Sequence, residues 1–367
     1  MTRLRKKIVT AFVLTSLLVT VMAGCGFSGS ASEAQTKSKH DSLNVLVWDG
    51  TWSEDMWKDY TRKTGIKVNV SYISNTDEIL TKLINGGSEY DLIDLESAYV
   101  KPFVKNGLLA KIDHSKIPNE KNLDSAYTKS GPTGDEKKEY TVLDMAPNFT
   151  TVVYNKKTCP IKIKSLKDLA DPKMKDQVAL VDSTISLYGA ALVALGYKAD
   201  STKEDEIKKA NELLTKIKAN TKAFVGESAV SLLESGDVSA ALCWDYPTLC
   251  GDSKDNWDTF DFTALEGGCE CFTQYWAIPS ASNNKEKAQK LIDFILQPKE
   301  LAKCYSEYAL TPTEPEDVIG KYLPKDYYKN PAIEGMKPLY DPSWKIAIDE
   351  KQIDIMDKYY TQLKGEE

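Results

Sequence analysis

Between residues 44 and 107 the chain switches repeatedly from short apolar runs to amphipathic ones. That alternation restricts the fold more than any other feature of the sequence. Asn44-Val45-Leu46-Val47-Trp48 reads as a buried strand. Ser53 can cap a following helix, with Glu54 and Asp55 in its first turn, where acids meet the positive end of the helix dipole. Gly65 closes that helix, and Ile66-Lys67-Val68-Asn69-Val70 alternates as a second strand. A helix over 77–84, a break at Gly86-Gly87, a third strand at Tyr90-Asp91-Leu92-Ile93 and a helix over 100–105 follow. Strand, helix and strand at this spacing build βαβ units, and hence a mostly parallel sheet.

A second alternating region opens at Thr151-Val152-Val153-Tyr154. It continues through the run Val178 to Val181, an Ala/Leu-rich helix, a charged helix over 202–219 and an apolar strand over 238–244. Asn284 caps a helix over 285–296 that Pro298 stops, and an amphipathic helix is expected around 353–363. A chain of 367 residues holds two domains of ordinary size.

The N-terminus carries a different message. Arg3, Arg5, Lys6 and Lys7 form a basic head, Ile8 to Met22 is uncharged and mostly apolar, and Ala23-Gly24-Cys25 follows. A short apolar run behind a basic head reads as an export signal and is too short for a comfortable membrane span. Small residues before a cysteine resemble a bacterial lipobox, which implies that Cys25 is lipidated and becomes the new N-terminus. The mature chain is therefore expected outside the cytoplasm, held to the cell membrane through the Cys25 lipid. Residues 26–42, rich in Ser, Ala, Lys and Gln, read as a flexible tether.

Charge and side-chain inventory exclude several functions. The net charge of −7 argues against nucleic acid and against a polybasic membrane surface. There are two histidines, His40 in the tether and His114 in a polar stretch, so a Ser-His-Asp triad, a Cys-His pair or a His-rich zinc site lacks its imidazoles. No cofactor and no metal are expected. Six cysteines remain after Cys25, and an even number in an exported chain suggests disulfides. At least one bridge is expected among Cys243, Cys250, Cys269 and Cys271.

Several segments together resemble the spermidine/putrescine-binding proteins of ABC importers. They are Thr64-Gly65-Ile66-Lys67-Val68, Tyr90-Asp91-Leu92-Ile93, Lys105-Asn106-Gly107-Leu108-Leu109, Ile112-Asp113, Asn122-Leu123-Asp124, Leu195-Gly196-Tyr197 and Trp276-Ala277-Ile278-Pro279, followed by the helix before Gln297-Pro298. They occur in the family's order from about residue 43 onward. The resemblance implies an α/β, two-lobed periplasmic-binding-protein fold of type II, with mixed, mostly parallel sheets and a central ligand cleft. It also implies permease subunits as partners. The expected segments are a leader over 1–24, a tether over 25–42, the first lobe over 43–148 and 246–311, and the second lobe over 149–245 and 312–367.

Ligand sites in open α/β sheets lie beyond the C-terminal ends of strands. Three such ends carry Asp49, Thr51 and Trp52; Glu96; and Trp244, Asp245 and Tyr246. Tyr275 is the further aromatic candidate. Aromatic faces attract ammonium groups and carboxylates bind them by charge-assisted hydrogen bonds. Asp94 reads as a cap or turn residue rather than a ligand contact. Glu96 aligns with a ligand-contacting serine of the family. Two second-lobe acids of the family align with Ser183 and Ser186, with Asp182 one place away, and a ligand tyrosine becomes Ala98.

The expected function is solute capture without chemistry: a monomer that closes two lobes on a small cationic molecule, a polyamine first, and touches no nucleic acid. The alternatives are a different small polar solute, or an extracytoplasmic hydrolase working through paired carboxylates.

Overall fold

The computed structural model describes residues 41–48, 50–73, 89–129, 131–226, 229–244, 249–250, 253–263, 270–336 and 350–365. Asp49, Asp245, Tyr246, Cys25, Cys269 and the expected helix over 77–84 lie outside them.

The described strands are β1 Ser42–Trp48, β2 Lys67–Ile73, β3 Leu92–Glu96, β4 Thr141–Asn155, β5 Val178–Val181, β6 Thr221–Val225, β7 Ala240–Cys243, β8 Phe260–Thr263 and β9 Glu270–Ala277. They form one sheet in the order β2-β1-β3-β9-β4-β7-β5-β6, with β8 also on β4. At one end β1 pairs parallel with β2 and β3, and at the other β5 pairs parallel with β6 and β7. Between these blocks, β4 and β9 run antiparallel to each other and to their neighbours. The sequence pattern showed the two parallel blocks; the antiparallel centre joins them.

Helices behave locally as their sequences dictate. Helix α1 (Glu54–Thr64) has its acids in the first turn and ends at Gly65, whose φ of 74° is the left-handed conformation that glycine adopts without a Cβ penalty. Helix α2 (Ser97–Lys105) starts directly at the end of β3. Helix α3 (Thr184–Ala194) has Ser183 as its N-cap, the hydroxyl accepting from the Ser186 N–H. It is apolar all round and buried from Ser186 to Ala194, as a helix between layers must be. The charged helix is α4 (Glu204–Lys218). Pro298 does more than end α5 (Lys285–Ile295): it stands at the first position of α6 (Pro298–Tyr308), where its missing N–H costs nothing. The C-terminal helix is α7 (Glu350–Lys364).

Two separate apolar cores result. The first gathers β1, β3, α1, α2, α5 and α6; the second gathers β5, β7, α3 and α4. The expected segment 312–367 divides between them: Ile319, Leu323, Tyr327 and Ile333 join the first core, Met356 and Leu363 of α7 the second. The segment 246–311 divides too, with Leu249, Cys250 and Phe260 in the second core.

Strands β4 and β9 serve both cores. On β4, Val142, Leu143 and Ala146 belong to the first and Phe149, Val152 and Val153 to the second; on β9, Cys271 belongs to the second and Tyr275, Trp276 and Ala277 to the first. At the changeover the β4–β9 register slips twice, between Leu143 and Met145 and between Met145 and Asn148. Pro147 lies in that interval and can give no ladder hydrogen bond. Bulges here bend and twist the strand where it passes from one core to the other.

Of the cysteines, Cys243, Cys250 and Cys271 are buried in the second core. Cys159 and Cys304 are free thiols lying 4.0 Å from the Met174 sulfur and 3.9 Å from the Met56 sulfur. Burial pushes the Cys304 thiol up to about 12, so it stays protonated and packs as a small hydrophobe.

Candidate functional site

The changeover region concentrates buried acids. Asp94 stands inside β3, fully buried, and is neither a cap nor a turn residue. Its carboxylate accepts the Trp52 indole N–H at 2.9 Å and the Trp48 backbone N–H. With its amide turned as this network demands, Gln274 donates to Asp94 at 3.2 Å. Asp144, 1% exposed on β4, meets Asp94 directly. Among the described residues no side chain other than the Asp94 carboxyl meets its oxygens, and the Met145 backbone N–H lies toward them. Desolvation above all, then the neighbouring carboxylate, holds Asp144 well above the usual carboxylate range, and desolvation raises Asp94 as well.

Alternation along β9 extends this cluster. Successive side chains of a strand point to opposite faces, so Glu270, Phe272, Gln274 and Trp276 share one face. Glu96 pairs with Gln274 and Asp94 with Trp276 in the β3–β9 register, which puts both acids on that face. Glu270 is 1% exposed and accepts a hydrogen bond from the Thr150 hydroxyl, its neighbour on β4. Burial, with a smaller push from the Glu96 charge, raises its carboxyl to about 8. Among the described residues no Lys, Arg or His side chain bonds to Asp94, Asp144 or Glu270.

The residues expected from sequence fall into distinct places. Trp52 is 3% exposed and stacks on Trp276 with ring centroids 4.6 Å apart, so it belongs to the first core and turns only its N–H toward the acids. Thr51 beside it is buried. Glu96 ends β3 half-buried. Tyr275 is buried on the opposite face of β9 from Phe272 and Gln274, and its hydroxyl accepts from Thr273 at 3.2 Å. In the second lobe, Trp244 donates its indole N–H to the Ser186 hydroxyl at 3.2 Å and meets Phe272 edge-on at 6.4 Å. Ser183 caps α3 and Ser186 holds Trp244, so both second-lobe serines are engaged within the protein. Asp182 points elsewhere, bonding to Tyr360 and, at 3.0 Å, to Lys364 of the C-terminal helix. The structure therefore brings Glu96, Trp244 and Ser186 toward one floor, and adds Asp94, Asp144, Glu270, Phe272 and Gln274. The signals for the additions were an acid inside the apolar run Leu92 to Leu95, and the spacing Glu-x-Phe-x-Gln-x-Trp.

Two surface depressions, of about 480 Å³ around His114 and Lys138 and about 290 Å³ around Tyr154 and Cys159, share no residue with this floor. His114 is bonded to Glu120 at 2.6 Å and to the Lys138 carbonyl at 2.5 Å. Among the described residues no group of three His, Cys, Asp or Glu side chains is placed to hold a metal ion. No helix among them is long and apolar enough to cross a membrane.

Known proteins fit this arrangement. Spermidine/putrescine-binding periplasmic protein 1 of Haemophilus influenzae is 25% identical over 360 residues, covering 96% of this chain and 98% of its own. The spermidine/putrescine-binding periplasmic protein of Salmonella typhimurium is 28% identical over 335 residues, 89% of this chain and 93% of its own. The structure of the TpPotD lipoprotein of Treponema pallidum superposes with a TM-score of 0.76 at 21% identity, covering 88% of this chain and 99% of that one. That likeness establishes the two-lobed binding-protein fold. Residues 55–334 match the bacterial extracellular solute-binding proteins. With two cores joined by bulged crossing strands, and polar groups gathered at the join, the chain belongs to that family.

Proposed function

We propose that this protein is the substrate-binding component of an ABC importer, anchored through Cys25, which captures a small cationic amine between its lobes. A polyamine is the favoured ligand. One observation carries the reading: Asp94, Asp144 and Glu270 are buried on one floor, and among the described residues no cationic side chain bonds to them. Carboxyl groups out of water stay neutral or find a positive partner, and an ammonium group from outside meets that need. Trp244 and Phe272 on the second-lobe side offer aromatic faces to the methylenes and ammonium heads of such a ligand. The names of the curated relatives, which include spermidine and putrescine, point the same way.

The bulged crossing strands suit a hinge by which the lobes close, the closed form being what a permease recognises. The protein acts as a monomer without chemistry of its own. The hydrolase alternative finds no support at the floor, whose acids are buried against tryptophan and glutamine rather than poised beside a nucleophile. Titration calorimetry of the purified protein with putrescine and spermidine tests the reading. Saturable binding at micromolar concentration is expected. A chain that ignores both at millimolar concentration overturns the amine assignment.

A further inference from the structure

The turn after α6 holds a buried acid, Glu314, that the solute site does not use; it is 2% exposed. The turn itself is held on several sides. Ala309 ends α6 in the left-handed conformation, with a φ of 53°. The Tyr327 hydroxyl donates to the carbonyl oxygens of Tyr305 and Leu310. The Asp124 N–H donates to the Thr313 carbonyl at 2.8 Å. Beyond the turn the chain leaves for the other core: Ile319, Leu323 and Tyr327 pack in the first, and Ala332 reaches the second.

Three oxygens meet beside this turn. The Tyr305 hydroxyl lies 2.7 Å from the Thr313 hydroxyl, and both lie 3.1 Å from Glu314 Oε2. The Thr313 N–H adds a bond to the Tyr305 oxygen at 3.1 Å. Each side of the oxygen triangle needs a proton. An ionised Glu314 brings none, so two hydroxyl protons serve three contacts and one pair of oxygens meets lone pair to lone pair. A neutral Glu314 supplies the missing proton: its O–H donates to Thr313, Thr313 donates to Tyr305, and Tyr305 donates back to Glu314. Burial acts the same way, raising the carboxyl to about 7 against the pull of the Tyr305 and Thr313 hydroxyls. Among the described residues no Lys, Arg or His side chain bonds to Glu314. The titratable groups around the ring are Tyr305 on α6, Tyr327 behind it, Tyr328 on the turn Tyr327–Lys329, and Glu316 at the start of the helix Glu316–Ile319.

Two buried atoms of this cluster are left over. Glu314 Oε1 and the Tyr328 hydroxyl each lack a hydrogen-bond partner, and the Glu314 charge, with that of Glu316, acts on the Tyr328 phenol. A neutral carboxyl bears a missing donor far more cheaply than a carboxylate does. We propose that Glu314 is a protonation latch on the turn after α6. Neutral, it closes the ring with Tyr305 and Thr313 and locks the turn. Ionised, it opens the ring, draws on the idle Tyr328 hydroxyl and lets residues 309–314 open locally. The latch sets how firmly the segment leading to the second core is fastened to the first, and it uses none of the residues of the amine site.

The test is amide hydrogen exchange of the full chain across this pH range, read as protection of a peptide covering residues 309–314 and corrected for the intrinsic rise of exchange with pH. In wild type, protection of this turn should fall about tenfold from one pH unit below the Glu314 midpoint to one above it, as the ionised fraction of the acid rises. Glu314→Gln keeps the group neutral and supplies the ring with amide protons, so protection should stay flat. Tyr328→Phe removes the donor that only the ionised form uses, so the turn should hold its protection to a higher pH than in wild type. Peptides of β9, which carry Glu270, should respond to pH alike in all three proteins. A wild-type turn indifferent to pH, or a Glu314→Gln chain that loses protection as wild type does, overturns the latch. Should Glu314→Gln not fold, Tyr328→Phe decides, and a midpoint equal to that of wild type overturns the proposal.

Discussion

Trp52 donates its indole N–H to Asp94 at 2.9 Å, tying the loop that leaves β1 to the middle of β3. The same ring stacks on Trp276 of β9. One side chain thus joins three strands of the first core. Trp52→Phe keeps an aromatic ring in the stack but removes the donor, leaving Asp94 short of one hydrogen bond. Stability should fall by about 1–3 kcal/mol, read from urea unfolding. If Trp52 instead faces ligand, the variant should unfold like wild type and lose only binding.

Acidity gives a second prediction. Glu270 is raised from its ordinary 4.5 to about 8 in the folded protein, chiefly by burial. The native state therefore holds a proton that the unfolded chain has released between those values. The contribution of Glu270 to the stability of the ligand-free protein is full below about pH 4.5 and falls as pH rises through about 8, because folding then requires a buried charge or a retained proton. The upward shifts of Asp94 and Asp144 act in the same direction. A cationic ligand favours the ionised acids, so the melting-temperature gain it confers should be larger near pH 8 than near pH 5.5, where binding must expel protons. Melting curves with and without spermidine across this range check both statements, and a spermidine gain that shrinks toward pH 8 would contradict them.

Asp182 yields a prediction of no effect on binding. Burial opposes its ionisation, yet Tyr360 and Lys364 hold its carboxyl below the usual range. The Asp182 side chain is 40% exposed, so the pair contributes at most about 1 kcal/mol. Asp182→Asn should loosen the docking of α7 slightly and leave amine affinity unchanged. A large loss of affinity would place this acid in the cleft after all.

Anchoring is tested at the other end of the chain. Cys25→Ala should move the protein from the membrane fraction to the soluble one, with no change in ligand affinity. Continued partition into detergent by the variant would show that Cys25 does not carry the anchor.

The parallel blocks were legible because their strands and helices follow the two periods of buried strand and amphipathic helix. Val178 to Val181 and the Gly65 cap are where the pattern put them. The centre was less legible. Only Thr151 to Tyr154 of β4 read as strand, because Pro147 and the bulges around Met145 interrupt the alternation that marks the rest. Glu96 and Trp244 stand at or just beyond strand ends, and Ser186, in the first turn of α3, reaches the same region through its bond to Trp244. Asp94 read as a cap or turn, and Asp144 and Glu270 drew no reading, because buried acids are rare and a lone acid in a sequence reads first as a turn or a solvated face. Only the β3–β9–β4 register gathers them. Trp52 was misleading for the opposite reason: its position at a strand end suggested a ligand contact, and its stack on Trp276 draws the ring into the core.

The crossing strands also govern when the chain can fold. Ile93 pairs with Ala277, and Thr150 with Glu270, partners far apart along the chain. Neither lobe can complete its sheet until residue 277 has been synthesised, because β9 lies between β3 and β4 in both ladders. Such long-range pairing folds slowly, since loop closure precedes any reward. A polypeptide wired this way acquires its central sheet only after most of its length is available for pairing.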